Sequence, residues 1–227
     1  MSIYQHPPQK KISMALRHYW DNLGVVPRTC IEVGAAHPHS FRLGEFVDMG
    51  CKVILIEANP RLCQCLRDGC NDGDFQDTWP AFPPPPYDYQ GLAGCPNVQI
   101  VNAAITDTKG EVCLYEHNAS SFVAGINSPA HQNDGFTEET EKRHYTVRSA
   151  TIDEFDDGQV DILLADAEGC EWHCIERLVS RPRLIVLETH GGDNYLNPHI
   201  KEIADWMLIN GYGHAGQNES DTAFLKP

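Results

Sequence analysis

Basic residues are scarce in this sequence. Seventeen Lys and Arg stand against 32 Asp and Glu, a formal net charge of −15, and no basic run breaks the acidity. Such a charge repels phosphate backbones, so nucleic acid is not an expected partner. Long apolar runs are missing too: no window approaches the ~20 residues of a membrane-spanning helix. The opening residues Met1-Ser2-Ile3-Tyr4-Gln5-His6-Pro7-Pro8 lack the basic and apolar regions of a secretory leader. The expectation is a cytoplasmic protein, in which the formal sequons at Asn118 and Asn218 carry no weight. Paired-cysteine spacing is absent as well. The nine cysteines are odd in number and scattered through expected strands and helices, which favours reduced thiols. Cys63, Cys65 and Cys70 have no downstream His or Cys pair at zinc-finger spacing.

What is present is enough apolar residue, 41% of 227, for one sizeable core, and a single domain over residues 1–227 is expected. Short apolar runs alternate with helix-like stretches, the pattern of βαβ units and a parallel sheet. Lys11 to Trp20 reads as an initial helix, Thr29 to Ala36 as a buried strand broken at Gly34, and Ser40 to Gly50 as a crossover helix. Cys51 to Glu57 is the next strand, stopped by Asn59-Pro60, where proline suits the first turn of a helix reaching about Gly69. Residues 71–96, with four consecutive prolines, read as an irregular insertion, and 118–144 as a second polar one. Further strands are expected over Val98 to Ile105, Val112 to His117, Tyr145 to Ile152, Val160 to Ala165 and Leu184 to Leu187. Asn197 to Asn210 has helical periodicity with Gly211 as a stop, and Gly213 to Leu225 reads as a hairpin closing the sheet.

The chemistry gathers where strands end. Leu164-Ala165-Asp166-Ala167-Glu168-Gly169-Cys170-Glu171 sets three carboxylates around one glycine as a buried run ends, which is where open α/β sheets hold ligands. Acids at such an exit suit ligand, metal or proton chemistry, although Asp and Glu also favour the first turn of a helix. Glu32 and Gly34 end the first strand, and Glu57 ends the second, 23 residues after Gly34. A glycine turn followed about 20 residues later by a carboxylate is how dinucleotide folds hold a ribose. The turn Gly34-Ala35-Ala36-His37-Pro38-His39 lacks the second and third glycines of the phosphate fingerprint, so an adenosyl ligand without phosphates fits better than NAD. An NAD-dependent oxidoreductase is the weaker alternative.

With these blocks in hand, the sequence resembles the FkbM-type S-adenosylmethionine-dependent O-methyltransferases from about Thr29 to His190. Ile31-Glu32-Val33-Gly34-Ala35-Ala36 is similar to the family's first cofactor loop, and Ile54 to Pro60 to its ribose-binding strand end. Asn102-Ala103-Ala104-Ile105 is similar to its adenine-side block, Asp166 to Glu171 to its hallmark, and Thr151 to Phe155 to the segment preceding the hallmark. Ala36 stands where the family has asparagine, and Pro38 where it has a second glycine. The resemblance implies a three-layer, Rossmann-like class I methyltransferase fold, with a mostly parallel central sheet, an antiparallel C-terminal hairpin and two loop insertions.

The same resemblance implies S-adenosyl-L-methionine as cofactor, held by Glu32, Gly34, Ala35, Ala36, Ser40, Glu57, Ala58, Asn59, Asn102, Ala103, Ala104 and Asp166. It also implies methyl transfer to a hydroxyl of a sugar or glycan, a deoxyhexose such as rhamnose or fucose, with neighbouring glycosyltransferases as partners. Such a reaction needs alignment, a base and exclusion of water. The candidates for the base are Asp166 and His190; His190 is favoured, because imidazole titrates near working pH whereas a carboxylate must first be raised, with Asp166 orienting it and Glu168 beside them. Ser120, Ser121, His131, Glu188 and His190 are the expected acceptor contacts. A divalent metal on Asp166, Glu168, Glu188 and His190 would acidify the acceptor but is not favoured. A cofactor-binding scaffold without catalysis is the other alternative.

Overall fold

The structure, a computed structural model, describes residues 26–37, 42–70, 89–117, 120–129, 142–191, 195–218 and 220–227. The helix expected over 11–20, Ser40, His131 and most of the first insertion lie outside the described residues.

Strands β1 (Thr29–Val33), β2 (Lys52–Glu57), β5 (Val98–Asn102), β10 (Val160–Ala165) and β11 (Leu184–Glu188) run parallel, and β14 (Gly213–Gln217) and β15 (Asp221–Leu225) add the hairpin. The order across the sheet is β14-β15-β11-β10-β1-β2-β5, with β15 antiparallel to β11. The sequence dictates this arrangement directly. All five residues of β1 and of β11 are buried, as parallel strands covered on both faces require. Alternate residues then serve opposite faces. Ile31, Val33, Ile54, Ile56, Leu163, Ile185 and Leu187 pack on one side against Ile175, Ile203 and Met207. Cys30, Val53, Leu55, Ile162, Leu164 and Val186 pack on the other against Leu43, Phe46, Leu66 and Leu92. Helices α1 (Gly44–Asp48) and α2 (Pro60–Asp68) belong to the second face, and α3 (Ile200–Ile209) to the first. Three layers result.

Helix α2 starts as its sequence implies: Pro60 occupies the first turn, and the Asn59 side chain accepts a 2.9 Å bond from Arg61 N. At its end β3 (Gly69–Cys70) pairs with β4 (Tyr89–Gln90), and Leu92, at the far end of the first insertion, is buried in the core.

Two expectations about strands are corrected. Val98 to Ile105 is not one strand, because Ala103 interrupts it, donating its N–H to Glu57 O at 3.2 Å. The chain then leaves the main sheet. Strands β6 (Ala104–Ile105), β7 (Gly110–Tyr115), β8 (Phe122–Val123) and β9 (His144–Ala150) form a second sheet in the order β6-β9-β7-β8. So Val112 to His117 and Tyr145 to Ile152 do not extend the central layer. Their burial fits this: β9 buries Val147 and Ser149 on either side of exposed Arg148, and β7 buries only Leu114, as in a sheet wet on one face. The dry face of this small sheet packs Ala104, Leu114, Val123 and Val147 against Cys170, over the ends of β2 and β10.

Candidate functional site: a cleft at the sheet's switch point

From β1 the chain proceeds to one side of the sheet, and from β10 to the other. The crevice between the C-terminal ends of β1 and β10 is therefore a topological switch point, where such sheets bind ligands. Gly34 makes the two ends fit. Its φ is +73°, and a Cβ built there would lie 1.7 Å from the carbonyl oxygen of Asp166. Asp166 N donates to Val33 O at 3.1 Å, and Gly34 N to Ile56 O at 2.9 Å. Only glycine permits that approach.

Glu57 organises the neighbouring loops. Its Oε2 accepts from Ala36 N and its Oε1 from Asn59 N, each at 2.7 Å. Ala36 bends through φ +52° to make the first of these bonds. Burial pushes the Glu57 carboxyl up to about 7, opposed by those backbone N–H groups. Each oxygen keeps a further lone pair for a ligand hydroxyl. Asn102 fixes the same corner by donating to the carbonyl oxygens of Glu57 and Ala58 at 2.8 and 2.9 Å. Asn59 also donates through Nδ2 to Ser121 Oγ at 3.0 Å, joining the β2 exit to the second insertion.

Between these loops lies an open cleft, about 440 Å³ of empty space counting its mouth. Gly34, Glu57, Ala58, Ala103 and Ala104 line it, as do Ile105, Leu114 and Val123 from the second sheet, and Ser121. Asp166, Ala167, Glu168 and Cys170 form the remaining wall. Ala103, Ala104, Leu114 and Val123 are the apolar part of a lining that also carries Glu57, Asp166 and Glu168.

The acidic hallmark folds as a succession of turns. Cys170 N bonds Ala167 O at 3.2 Å, His173 N bonds Cys170 O at 3.0 Å, and Cys174 N bonds Glu171 O at 3.1 Å. Glu168 has φ +51° and Gly169 φ +99°, and a Cβ on Gly169 would meet Asn127 O at 2.6 Å. Glu171 braces this bend from inside: fully buried, it accepts from Ala167 N at 2.7 Å, from Gly169 N at 3.3 Å and from the Asn197 side chain. Asp166 is thereby presented to the cleft. Burial raises its carboxyl, Arg42 opposes the rise and Asp221 adds to it.

Other expected residues sit elsewhere. Glu32 is buried behind the cleft wall, both oxygens accepting from Arg42 N at 2.9 Å, with Arg42 Nε 3.3 Å from Oε1. Burial pushes it up to about 7 against the pull of Arg42. Arg42 also reaches Asp221 at 3.4 Å. Ala35 is buried, with its N–H bonded to Ile56 O at 3.3 Å, and Ser120 N bonds His117 O at 3.0 Å; neither lines the cleft. His190, in β12 (His190–Gly191), is outside the lining as well, with Nδ1 2.8 Å from Thr189 Oγ1 and Nε2 2.9 Å from Asn218 O. Glu188 is buried at the end of β11. Among the described residues, no three His, Cys, Asp or Glu side chains gather as a metal site.

Sequence reasoning missed Arg42, the apolar wall of Leu114 and Val123, and the bracing role of Glu171. The acidic chain offered one signal for Arg42, since a lone cation near Glu32 has few partners but carboxylates. Nothing in the sequence marks Leu114 and Val123 as cleft residues rather than core.

Among solved structures, the chain is similar to the glycopeptide N-methyltransferase MtfA complexed with sinefungin, with TM-score 0.40 and 9% identity, over 100% of this chain and 91% of that one. It is similar also to a provisionally assigned S-adenosyl-L-methionine-dependent methyltransferase from Methanococcus maripaludis, with TM-score 0.40 and 10% identity, over 94% and 84%. No curated protein sequence matches. The family model of the methyltransferase FkbM domain matches residues 32–213. That span runs from Glu32 in β1, through the second sheet and the acidic hallmark, to the first residue of β14, and the chain therefore belongs to the FkbM methyltransferase family, which is S-adenosyl-L-methionine-dependent.

Proposed function

We propose that the protein is an O-methyltransferase that acts on a sugar hydroxyl, with a deoxyhexose of a glycan or glycoside as acceptor. The observation that carries the reading is the position of Asp166, which lines the cleft at the switch point beside the Gly34 turn. The cleft fits an adenosyl cofactor: Glu57 offers lone pairs for ribose hydroxyls, and the alanine and second-sheet residues offer a surface for a flat ring. When bound, S-adenosyl-L-methionine supplies an electrophilic sulfonium methyl.

The chain's own residues then have three tasks. The Gly34 and Asp166 backbones, locked together, hold the two sides of the cleft in fixed register, and positioning of this kind supplies up to ~7–11 kcal/mol of barrier lowering. Leu114, Val123 and Ile105 keep water from the reacting atoms. Asp166 takes the hydroxyl proton as the acceptor oxygen is methylated, and burial lifts its carboxyl toward the working range of a base. In this reading the base is Asp166 rather than His190, whose ring nitrogens are both engaged away from the cleft.

The test is calorimetry followed by turnover. S-adenosyl-L-methionine should give binding heat with the full chain while NAD gives none, and methyl rhamnoside or fucoside should accept the methyl group. Asp166→Asn is expected to lower kcat by about 10²- to 10⁴-fold with donor affinity retained. Undiminished turnover in that variant removes the base assignment, and absence of donor binding by folded protein removes the reading.

A further inference from the structure

The acidic edge extends beyond what the donor cleft uses. Glu188 is 8% exposed and its Oε2 has no hydrogen-bond partner among the described residues; the hydroxyl of Tyr195, 3% exposed at the start of β13 (Tyr195–Leu196), has none either. Both side chains approach Gly191, where a built Cβ would lie 3.9 Å from Glu188 Oε1 and 4.0 Å from Tyr195 Cδ1, and the Tyr195 hydroxyl interacts electrostatically with Glu188. Leaving a buried polar atom unpaired is costly. Two kept side by side point to groups that a ligand brings.

Their place in the sheet says which ligand. Glu57 ends β2 and Glu188 ends β11, three strands apart in the order β11-β10-β1-β2, or roughly 14 Å at the usual strand spacing. A donor with its ribose at Glu57 and its methyl toward Asp166 leaves the β11 side to the acceptor. The charge there says what the acceptor carries. Glu188 interacts electrostatically with Asp166, Glu168, Glu171 and Asp221, and burial together with these acids drives its carboxyl far above the ordinary range. The guanidinium of Arg42, which enters this group, is bound to Glu32 and Asp221. A cation is the complement to such a group of acids. The acids do not converge as metal ligands among the described residues, whereas an ammonium tolerates broader geometry and donates three hydrogen bonds.

We infer that Glu188 and Tyr195 form an acceptor subsite for an ammonium group, so that the sugar methylated is an amino sugar. The inference rests on the sugar-hydroxyl reading above and narrows it. Glu188 gives up its proton to solvent as the ammonium enters and holds it as a carboxylate, Tyr195 adds a hydroxyl contact, and the sugar's own hydroxyl is left facing Asp166.

The test uses the full chain saturated with S-adenosylhomocysteine, titrated calorimetrically near pH 7 with methyl α-D-perosaminide and with methyl α-D-rhamnoside, which carries a hydroxyl where the first carries the amine. The aminodeoxyhexoside is expected to bind about tenfold more tightly, the scale of one charge-assisted contact. Glu188→Gln should erase that preference while binding S-adenosylhomocysteine as before. Tyr195→Phe reads the same subsite independently and should weaken both sugars several-fold. Equal affinity of the two sugars for the native chain overturns the inference, as does a preference that survives Glu188→Gln. Methylation of the rhamnoside alongside equal binding overturns it while leaving sugar methylation standing. Preferential perosaminide binding without methylation of either sugar upholds the subsite and counts against the hydroxyl acceptor.

Discussion

At the scale of single residues, the cleft depends on atoms that are absent as much as on those present. Gly34 and Gly50 both have positive φ, +73° and +81°, but only Gly34 faces a backbone oxygen where its Cβ would be. Gly50→Ala is therefore expected to cost about 1–2 kcal/mol, the left-handed penalty alone, whereas Gly34→Ala adds a collision with Asp166 and should cost more than about 3 kcal/mol. Urea unfolding midpoints of the two variants check this, and equal losses would show that the contact yields. Glu57→Gln presents an amide N–H₂ to one of two backbone donors. It should weaken donor binding by about ten- to a hundredfold, in keeping with the loss of one or two charge-assisted hydrogen bonds, measured by titration with S-adenosyl-L-methionine. The acids themselves were legible in the sequence, because carboxylates ending buried runs have few bland explanations. What they touch was not: Glu32 faces Arg42 and Glu171 holds a turn, since partners ten residues or a strand away leave no periodic trace.

At the scale of elements, the strands of the main sheet were plain because they are apolar on both faces, as in Ile54-Leu55-Ile56 and Ile162-Leu163-Leu164. The second sheet was half legible. Alternation in β9 marks a strand, but alternation does not say which sheet a strand joins, and the break at Ala103 depends on a single bond to Glu57 O. This small sheet serves as a wall of the cleft through Leu114, which is 1% exposed in its core. Leu114→Ala should destabilise the protein by about 2–5 kcal/mol and loosen donor binding several-fold. A thermal melt with and without S-adenosyl-L-methionine separates the two effects, and an unchanged ligand-induced rise in Tm would show that the wall does not contact the donor.

At the scale of the whole molecule, burial of acids in a chain of net charge −15 sets the response to pH. Glu32 and Glu57 have folded values of about 7 against an ordinary 4.5. Protonation of each therefore favours the folded state, fully so below about 4.5, and that contribution is lost as pH rises through 7. The unliganded protein should melt several degrees lower at pH 8 than at pH 5.5, on the scale of roughly 2–4 °C per kcal/mol for a chain of this size. Calorimetric scans across that interval check the slope, and a Tm that climbs with pH would mean these carboxyls are ionised throughout. In the proposed reading, the meeting of β1 with β10 divides labour along the polypeptide: the early strands grip the reagent, the later ones greet whatever is to be modified. Evolution can accordingly retool the late half for a new customer while the supply of carbon stays untouched.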